Sequence, residues 1–248
     1  MKLAGKKALI VGASSGAGLA TARLFAAEGA ELALIARSKE KLAKAAAELQ
    51  GKTHVITADV GDTESCATIV PEAIASLGGL DAVVYAAGLC EPCLVKDLTV
   101  EHFRQHLDVN LTGNFIVARA AALHMNEGKG GSIVNFASEL AHIGMGYYVH
   151  YCAAKAGVVG LTMALAAEMA PKVRVNAVSP GPIDTPMLEA EIKWFGGTQE
   201  VIDGAIGRVP LKRFAKPEEV AKAVLFLIAD APYATGSALR LDGGTTII

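Results

Sequence analysis

Seven short apolar runs, separated by longer amphipathic segments, constrain the fold more than any other feature of this sequence. The runs are rich in β-branched residues and do not alternate between polar and apolar positions, which is the pattern of parallel strands buried on both faces. The predicted strands are Lys7–Val11, Leu32–Ala36, Thr53–Thr57, Ala82–Ala86, Ser132–Phe136, Arg174–Val178 and Ala238–Leu241.

The segments between the runs show helical periodicity. Predicted helices include Gly18–Glu28, Lys39–Leu49, Val100–His124, Cys152–Met169 and Pro217–Ala229. Strands that alternate with helices join by right-handed crossovers into a parallel sheet with helices on both faces. The sequence therefore predicts one α/β domain over residues 1–248, a doubly wound parallel sheet of the Rossmann type.

One stretch, residues 182–216, breaks this alternation. It is rich in Gly and Pro and contains the only tryptophan, Trp194. A long insert between the sixth strand and the last helix is typical of a lid over a site. We therefore predict a small lid-like insert at about 182–216.

Composition limits the classes of partner. The chain has 23 Lys and Arg against 25 Asp and Glu, so its charge indicates neither nucleic-acid binding nor an anionic membrane surface. No stretch approaches the roughly 18 apolar residues of a transmembrane helix. With no recognisable secretory signal, the four cysteines are expected to be reduced thiols in the cytoplasm. We expect a small-molecule partner.

A glycine-rich loop joins the first strand to the first helix. Gly12 permits a tight turn, Gly16 lets backbone N–H groups approach a pyrophosphate, and Gly18 lets the helix pack against the strand. The helix N-terminus then faces the phosphates with its partial positive charge. The spacing is GxxxGxG rather than GxGxxG, and its position favours a dinucleotide site over a structural turn. The loop also contributes Ser14, Ser15 and Ala17 to this predicted site.

A tyrosine and a lysine have the spacing needed to handle a proton. Tyr151 and Lys155 are four residues apart, so they share one face of a helix, and an ammonium nearby lowers the pKa of a phenol. Neither Tyr147 nor Tyr148 has a lysine four residues later. Ser138 ends the fifth strand, at the edge where α/β sheets bind ligands, and can hydrogen-bond a substrate oxygen.

These motifs together resemble the short-chain dehydrogenase/reductase family over essentially the whole chain. The matching features are the GxxxGxG loop, Asn110, Ser138, the Tyr151–Lys155 pair, Pro180-Gly181 and Asp242-Gly243-Gly244. The branch it resembles most includes 3-oxoacyl-thioester reductases, sugar-alcohol dehydrogenases and hydroxysteroid dehydrogenases. The resemblance implies a catalytic role for all four residues Asn110, Ser138, Tyr151 and Lys155, with Asn110 holding a water that relays protons to Lys155.

Two positions depart from the family pattern. The family often has Thr at Val11, and Asn-Asn-Ala-Gly where this chain has Tyr85-Ala86-Ala87-Gly88. The second change removes an Asn that usually ties the fourth strand to its neighbours, which puts local rigidity in question more than chemistry.

The end of the second strand indicates which nicotinamide cofactor is used. NAD enzymes usually place an acidic residue there to accept from the ribose hydroxyl, whereas this chain has Ala36, Arg37 and Ser38. A guanidinium pairs with the 2′-phosphate of NADP(H), which a carboxylate would repel. We predict NADP(H) over NAD(H); the alternative is that Arg37 is a solvated loop residue.

The resemblance extends the predicted cofactor site. It implies that Asp59 and Val60 contact the adenine, that Ile183 and Thr185 contact the carboxamide, and that Lys155 also bonds the nicotinamide ribose. The remaining predicted contacts are Ala86, Ala87, Gly88, Tyr151, Pro180 and Gly181.

The substrate is left open. A 3-oxoacyl-thioester reductase is the first specific candidate; a polyol, a steroid-like compound or another small ketone or alcohol is an alternative. An acyl-carrier-protein partner requires a basic patch near the pocket, for which the chain offers few residues, Lys129, Lys172 and Arg174. Non-catalytic NADP binding is the alternative of another class. Epimerase and dehydratase relatives are a third option, but they usually carry a longer C-terminal substrate domain.

The resemblance also implies a homotetramer.

The cysteines and histidines give weaker indications of function. The Cys90-Glu-Pro-Cys93 pair cannot complete a structural zinc site alone, and a redox role is its alternative. The six histidines show no metal-ligand spacing with acidic partners, so we expect no metal and place His102 and His106 on a helix surface. Between Ser138 and Tyr151, the residues expected to include substrate contacts are Glu139, His142, Met145, Tyr148 and His150.

Overall fold

A single parallel sheet organises the computed structural model, which describes residues 1–247. Its order is β3-β2-β1-β4-β5-β6-β7, and every adjacent pair is parallel. The strands are β1 Lys7–Val11, β2 Glu31–Ala36, β3 Thr53–Thr57, β4 Ala82–Tyr85, β5 Gly131–Phe136, β6 Val173–Pro180 and β7 Ala238–Leu241.

Helices cover both faces of the sheet. They are α1 Gly16–Ala27, α2 Lys39–Ala47, α3 Thr63–Leu77, α4 Val100–Leu107, α5 Gly113–Glu127, α6 Val149–Met169, α7 Pro186–Trp194, α8 Gln199–Gly207 and α9 Pro217–Leu225. The helices α1, α2 and α9 pack on one face, and α3, α5 and α6 pack on the other. The predicted doubly wound fold is confirmed.

The first strand shows why the runs lack polar alternation. Leu9 and Val11 belong to the apolar cluster on one face of the sheet, whereas Ala8 and Ile10 belong to the cluster on the other. All four residues are fully buried, so both faces of the strand must be apolar.

The predicted helix Val100–His124 is interrupted in the structure. A π-helical turn, Asp108–Thr112, separates α4 from α5. Within it the Asn110 amide Nδ2 donates to the carbonyl oxygen of His106 at 3.0 Å, one turn back. Such turns are frequent at functional sites.

Tyr85 connects β4 to this turn where the family's Asn is missing. Its buried hydroxyl donates to the carbonyl oxygen of Val109 at 2.8 Å. Gly113 makes room for that contact, since a Cβ there would lie 2.8 Å from the Tyr85 hydroxyl. A phenol therefore supplies a tie between β4 and the neighbouring helix.

Among residues 1–247, one helix, α6, is long and apolar enough by composition to span a membrane. A core helix passes the same test. Here α6 packs against the sheet and buries His150, Lys155 and Thr162 on its inner side.

The sheet order reverses between β1 and β4, whose carboxyl ends meet at one edge with those of β5 and β6. In open α/β sheets, ligands bind at such an edge. The glycine loop after β1, the loop after β4 and Ser138 after β5 all lie there.

Candidate active site

A cavity of about 990 Å³ opens at this edge of the sheet. Its walls include every residue predicted to bind the cofactor except Ser38, together with Ser138, Tyr151 and Lys155. The two predicted residues that do not line it are Ser38 and Asn110. Ser38 instead caps α2, since its hydroxyl accepts from the Lys41 N–H at 3.3 Å.

The glycine loop leaves no space for side chains at two positions. A Cβ on Gly12 would lie 2.5 Å from the backbone nitrogen of Ala87, and one on Gly18 would lie 2.1 Å from the carbonyl oxygen of Gly12. Gly12 and Gly16 have φ angles of 88° and 54°, which favour glycine. The loop thus forms a narrow cradle at the N-terminus of α1, which suits a pyrophosphate.

Arg37 lies at the end of β2, exposed at the rim of the cavity. Asp59 follows β3 on the neighbouring wall, where its carboxylate accepts from the Gly61 N–H at 2.9 Å. The chain at the end of β2 offers the Arg37 guanidinium and no carboxylate. This combination fits a 2′-phosphate.

Ser138, Tyr151 and Lys155 line the same cavity. Lys155 is buried and donates from Nζ to the carbonyl oxygen of Phe136 at 2.8 Å. Its Nζ lies 5.5 Å from the centroid of the Tyr151 ring. The Ser138 hydroxyl lowers the pKa of the nearby Tyr151 phenol and accepts from the Leu140 N–H at 3.1 Å. Three of the four residues predicted to be catalytic therefore share one site.

Burial decides the ionisation of this pair. It raises the pKa of Tyr151 well above its usual range, and the nearby ionisable groups of Cys90 and Glu191 add to the shift. Burial also lowers the pKa of Lys155 to about 8. The expected lowering of the phenol pKa by Lys155 does not hold here, because desolvation dominates and the ammonium points at Phe136.

Asn110 holds the loop after β4 rather than facing the cavity. It is fully buried, its Nδ2 donates to the carbonyl oxygen of Leu89 at 2.9 Å, and its Oδ1 accepts from the Leu89 N–H at 3.2 Å. A Cβ on Gly88 would lie 3.1 Å from that Oδ1 and 3.6 Å from Lys155 Nζ, so the three residues are close neighbours. Both polar groups of the Asn110 side chain are occupied by backbone.

One end of the cavity is lined by Glu139, Tyr148 and Glu191, and we call it the substrate end. Its wall contains both apolar side chains and partly buried carboxyl groups. Tyr148 donates from its hydroxyl to Glu191 Oε2 at 3.0 Å, and Thr245 donates to Glu139. Burial raises the pKa of both Glu139 and Glu191. These groups give the pocket hydrogen-bonding capacity within reach of Tyr151.

Five residues between Ser138 and Tyr151 were expected to include substrate contacts, and three line the cavity. These are Glu139, Met145 and Tyr148. His142 contacts Ser179 Oγ at 3.0 Å instead, and His150 contacts the carbonyl oxygen of Glu91 at 2.9 Å.

The sequence analysis missed several polar residues of the pocket, among them Glu191, Arg208 and Thr245. Glu191 and Arg208 fall in the insert, whose position was the only signal for them. Thr245 follows the Asp242-Gly243-Gly244 turn, where its proximity to Glu139 depends on tertiary structure alone.

The insert forms two short helices, α7 and α8, that wall the substrate end. No residue of either helix is buried. Tyr147, Trp194 and Phe195 make edge-to-face contacts with ring centroids 4.7 to 5.7 Å apart. Tyr147 has a φ of 72°, a strained conformation for a bulky residue. The insert is thus attached to the loop before α6 by this cluster and by the Tyr148–Glu191 bond.

The basic residues considered for carrier-protein docking lie away from the cavity. Lys129 and Lys172 precede β5 and β6, at the opposite edge of the sheet. Arg174 donates to the carbonyl oxygens of Leu227, Ile228, Ala231 and Ala234, where it stabilises the chain after α9. The structure therefore gives these three residues no part in docking near the pocket.

The placement of His106 on a helix surface is wrong. His106 is fully buried and packs against His102 and His150. His102 is partly buried in the same cluster. The helix α4 is too short for its pattern to reveal that its inner face meets α6.

Cys90 and Cys93 are both free thiols. Burial raises the pKa of Cys90 far above its usual range, which keeps it a thiol and disfavours redox reactivity. Cys93 donates to the carbonyl oxygen of Leu94 at 3.5 Å.

Comparisons with known proteins cover the whole chain. A family model described as Enoyl-(Acyl carrier protein) reductase matches residues 12–246. The chain is 39% identical to 3-oxoacyl-[acyl-carrier-protein] reductase FabG of Thermotoga maritima, with 100% of both chains covered. It is 36% identical to D-threitol dehydrogenase of Mycolicibacterium smegmatis, covering 99% of this chain and 95% of that one. A solved structure described as a short chain dehydrogenase/reductase family protein matches with a TM-score of 0.91 and 38% identity over 100% of both chains.

Proposed function

The chain belongs to the short-chain dehydrogenase/reductase family, and within it we propose that it interconverts a secondary alcohol and a ketone with NADP(H). Membership makes it an oxidoreductase of alcohol or ketone groups that uses a nicotinamide cofactor. We propose three further points: the cofactor is NADP(H), Tyr151 handles the proton, and the substrate is a secondary alcohol or ketone of the classes discussed below.

The proposed function rests on one observation. Tyr151, Ser138 and Lys155 line the same cavity as the glycine loop of α1. A dinucleotide whose phosphates rest on that loop extends along the edge of the sheet toward β5, which ends at Ser138. The proton-handling residues then stand beside the reacting end of the cofactor.

The residues divide the chemistry among them. When bound, the nicotinamide supplies or accepts a hydride. Tyr151, kept protonated by burial, donates its phenol proton to the developing alkoxide oxygen and is left as a phenolate. In the oxidising direction that phenolate takes the proton from the alcohol. Ser138 hydrogen-bonds the same substrate oxygen and orients it. Lys155, anchored on Phe136, holds a positive charge beside the phenol.

NADP(H) is favoured by the end of β2. Arg37 is exposed there at the rim of the cavity, so its guanidinium is free to pair with a 2′-phosphate. The neighbouring Ala36 and Ser38 provide no carboxylate to accept from a ribose hydroxyl.

A 3-oxoacyl thioester is the first substrate candidate. The similarity to a 3-oxoacyl-[acyl-carrier-protein] reductase supports it over the full length. The apolar residues that line the substrate end, among them Leu140, Ile143 and Ile192, suit an acyl chain.

A polyol or another small hydroxylated compound is the second candidate. It is favoured by the carboxyl groups of Glu139 and Glu191 and the hydroxyl of Tyr148, which line the pocket and can bond additional hydroxyl groups. The similarity to D-threitol dehydrogenase supports the same class.

A screen of 3-oxoacyl thioesters, free ketones and polyols with NADPH or NADP⁺, followed by nicotinamide absorbance, tests the proposal. We expect turnover of at least one ketone–alcohol pair, and the preferred pair separates the two candidates. Binding of NADPH with no turnover across all classes would instead support a non-catalytic NADP-binding protein.

A further inference from the structure

We propose that the chain binds one zinc ion between His102, His106 and His150, behind the wall of the substrate pocket. The site is outside the catalytic constellation and independent of the reaction proposed above. It rests on the convergence of three imidazoles, on their tautomers, and on an adjacent carboxylate.

Two helices bring the three histidines together. His102 and His106 are one turn apart on α4, so they face the same side, and His150 lies in the first turn of α6. Each offers a ring nitrogen, and the three nitrogens lie within 4.8 Å of one another. His106 and His150 are fully buried, with ring centroids 4.0 Å apart.

The hydrogen bonds define the tautomers of the two buried rings. His106 Nε2 accepts from the Glu91 N–H at 3.3 Å, so its proton is on Nδ1, which donates to the carbonyl oxygen of His102 at 3.1 Å. His150 Nε2 donates to the carbonyl oxygen of Glu91 at 2.9 Å. Both rings therefore present a lone pair on the nitrogen that is not donating to a carbonyl. Metal-binding histidines are held in this way.

Two of these nitrogens lack partners although they are buried. His150 Nδ1 and His102 Nε2 make no hydrogen bond. Buried polar atoms without a partner are uncommon in folded proteins and point to an ion or a water. The third, His106 Nε2, has only the long contact with Glu91, which a stronger ligand bond can replace.

Glu91 supplies a fourth ligand. Its Oε2 lies 3.3 Å from His102 Nε2, in contact but without the alignment of a hydrogen bond. Its side chain is 56% exposed, so it can rotate toward the cluster. Three imidazoles and one carboxylate are a donor set that suits zinc.

The three ring nitrogens lie somewhat further apart than the ligands of a zinc ion, since they are within 4.8 Å of one another. Tetrahedral zinc places its nitrogen ligands about 3.4 Å apart, from a Zn–N distance of about 2.0–2.1 Å. Side-chain rotation must therefore draw the most distant pair together by about 1.4 Å.

The experiment uses untagged, full-length protein freed of metal with a chelator. Zinc is titrated in competition with a chromophoric chelator, and cobalt(II) is added separately to record the visible absorption of four-coordinate nitrogen and oxygen ligation. We expect one equivalent of zinc per chain and a cobalt spectrum that zinc abolishes.

Two variants locate the ion. His102→Gln removes a ligand on the partly exposed side of the cluster, and Glu91→Gln removes the carboxylate without changing its shape. Because loss of an outer-shell partner alone costs about 10–100-fold in metal affinity, each should weaken zinc binding by at least ~10-fold. His124→Gln, in α5 and outside the cluster, is the matched control and should bind zinc like the wild type.

Circular dichroism and NADPH binding establish that each variant is folded. Absence of stoichiometric zinc in the wild type overturns the site, as does equal zinc affinity in the wild type, His102→Gln and Glu91→Gln. The cluster would then have only a structural role, in which His106 and His150 hydrogen-bond the backbone of Glu91.

Discussion

Lys155 Nζ lies 5.5 Å from the centroid of the Tyr151 ring and donates its hydrogen bond to the carbonyl oxygen of Phe136, not to the phenol. The lysine therefore presents its charge over the ring rather than to the hydroxyl. The Ser138 side chain lowers the pKa of Tyr151, and burial outweighs that effect. This arrangement keeps a protonated phenol ready to act as an acid.

Cofactor preference depends on one guanidinium. A partly solvated, charge-assisted pair between Arg37 and a 2′-phosphate contributes about 1.5–3 kcal/mol, which corresponds to a preference for NADPH of about ten- to a hundredfold. The double variant Ala36→Asp/Arg37→Ala should reverse this ratio of kcat/KM, and raised salt should weaken it in the wild type. Lys39→Ala, an exposed charge two residues further on, is the control. A wild type that prefers NADH would contradict the assignment of Arg37.

Gly18 should be essential to the loop because backbone atoms occupy the space that any side chain at this position would need. In Gly18→Ala the new Cβ would lie 2.1 Å from the carbonyl oxygen of Gly12, so the loop must move. We expect a loss of unfolding free energy of about 1–3 kcal/mol and weaker NADPH binding, measured by urea denaturation and titration. Gly160→Ala is the control: nothing lies within 4 Å of its Cβ, and helix propensity predicts a gain of up to about 1 kcal/mol. Equal effects at both positions would contradict this explanation.

The insert should behave as a lid. We expect Pro186 to about Arg208 to exchange amide hydrogens faster in the free protein than in the ternary complex, because apolar side chains on α7 gain most by closing onto a ligand. Glu191→Gln weakens the bond to Tyr148 and should raise exchange in α7, whereas Glu189→Gln, exposed on the same helix, should not. Equal protection of the free and ternary states would count against a lid.

A homotetramer is the expected assembly. The helices α5 and α6 are rich in alanine and leave Phe115, Leu123 and Met163 on the surface, where a second copy can cover them. Light scattering at micromolar concentration should give the mass of four chains, and Phe115→Glu with Met163→Glu should reduce it. A monomeric wild type would refute the prediction.

The regular elements were predictable because buried parallel strands leave a strong pattern. The bounds of β1, β3 and β7 agree with the sequence prediction to the residue. The strand β6 continues two residues past its predicted end, through Pro180, because its last positions pair with β7 along the edge that forms the site. Local sequence contains no signal for that pairing.

The sequence analysis failed for features that depend on long-range contacts. His106 is buried because α4 packs against α6, and the π-helical turn contains Asn110, whose side chain bonds the carbonyl oxygens of both His106 and Leu89. The ionisation of Tyr151 was also misjudged, since spacing reveals the neighbouring lysine but not the extent of burial. The three motif residues that meet in the cavity were predictable because their spacing on α6 and at the end of β5 fixes their positions.

The most direct test of the account is the turnover of Tyr151→Phe with the best ketone found in the screen. The change removes the phenol proton and keeps the ring. We expect kcat to fall by at least ~10²-fold, with an unchanged dissociation constant for NADPH, while the exposed Tyr233→Phe retains wild-type turnover. Near-wild-type turnover in Tyr151→Phe would contradict the central claim that Tyr151 handles the proton.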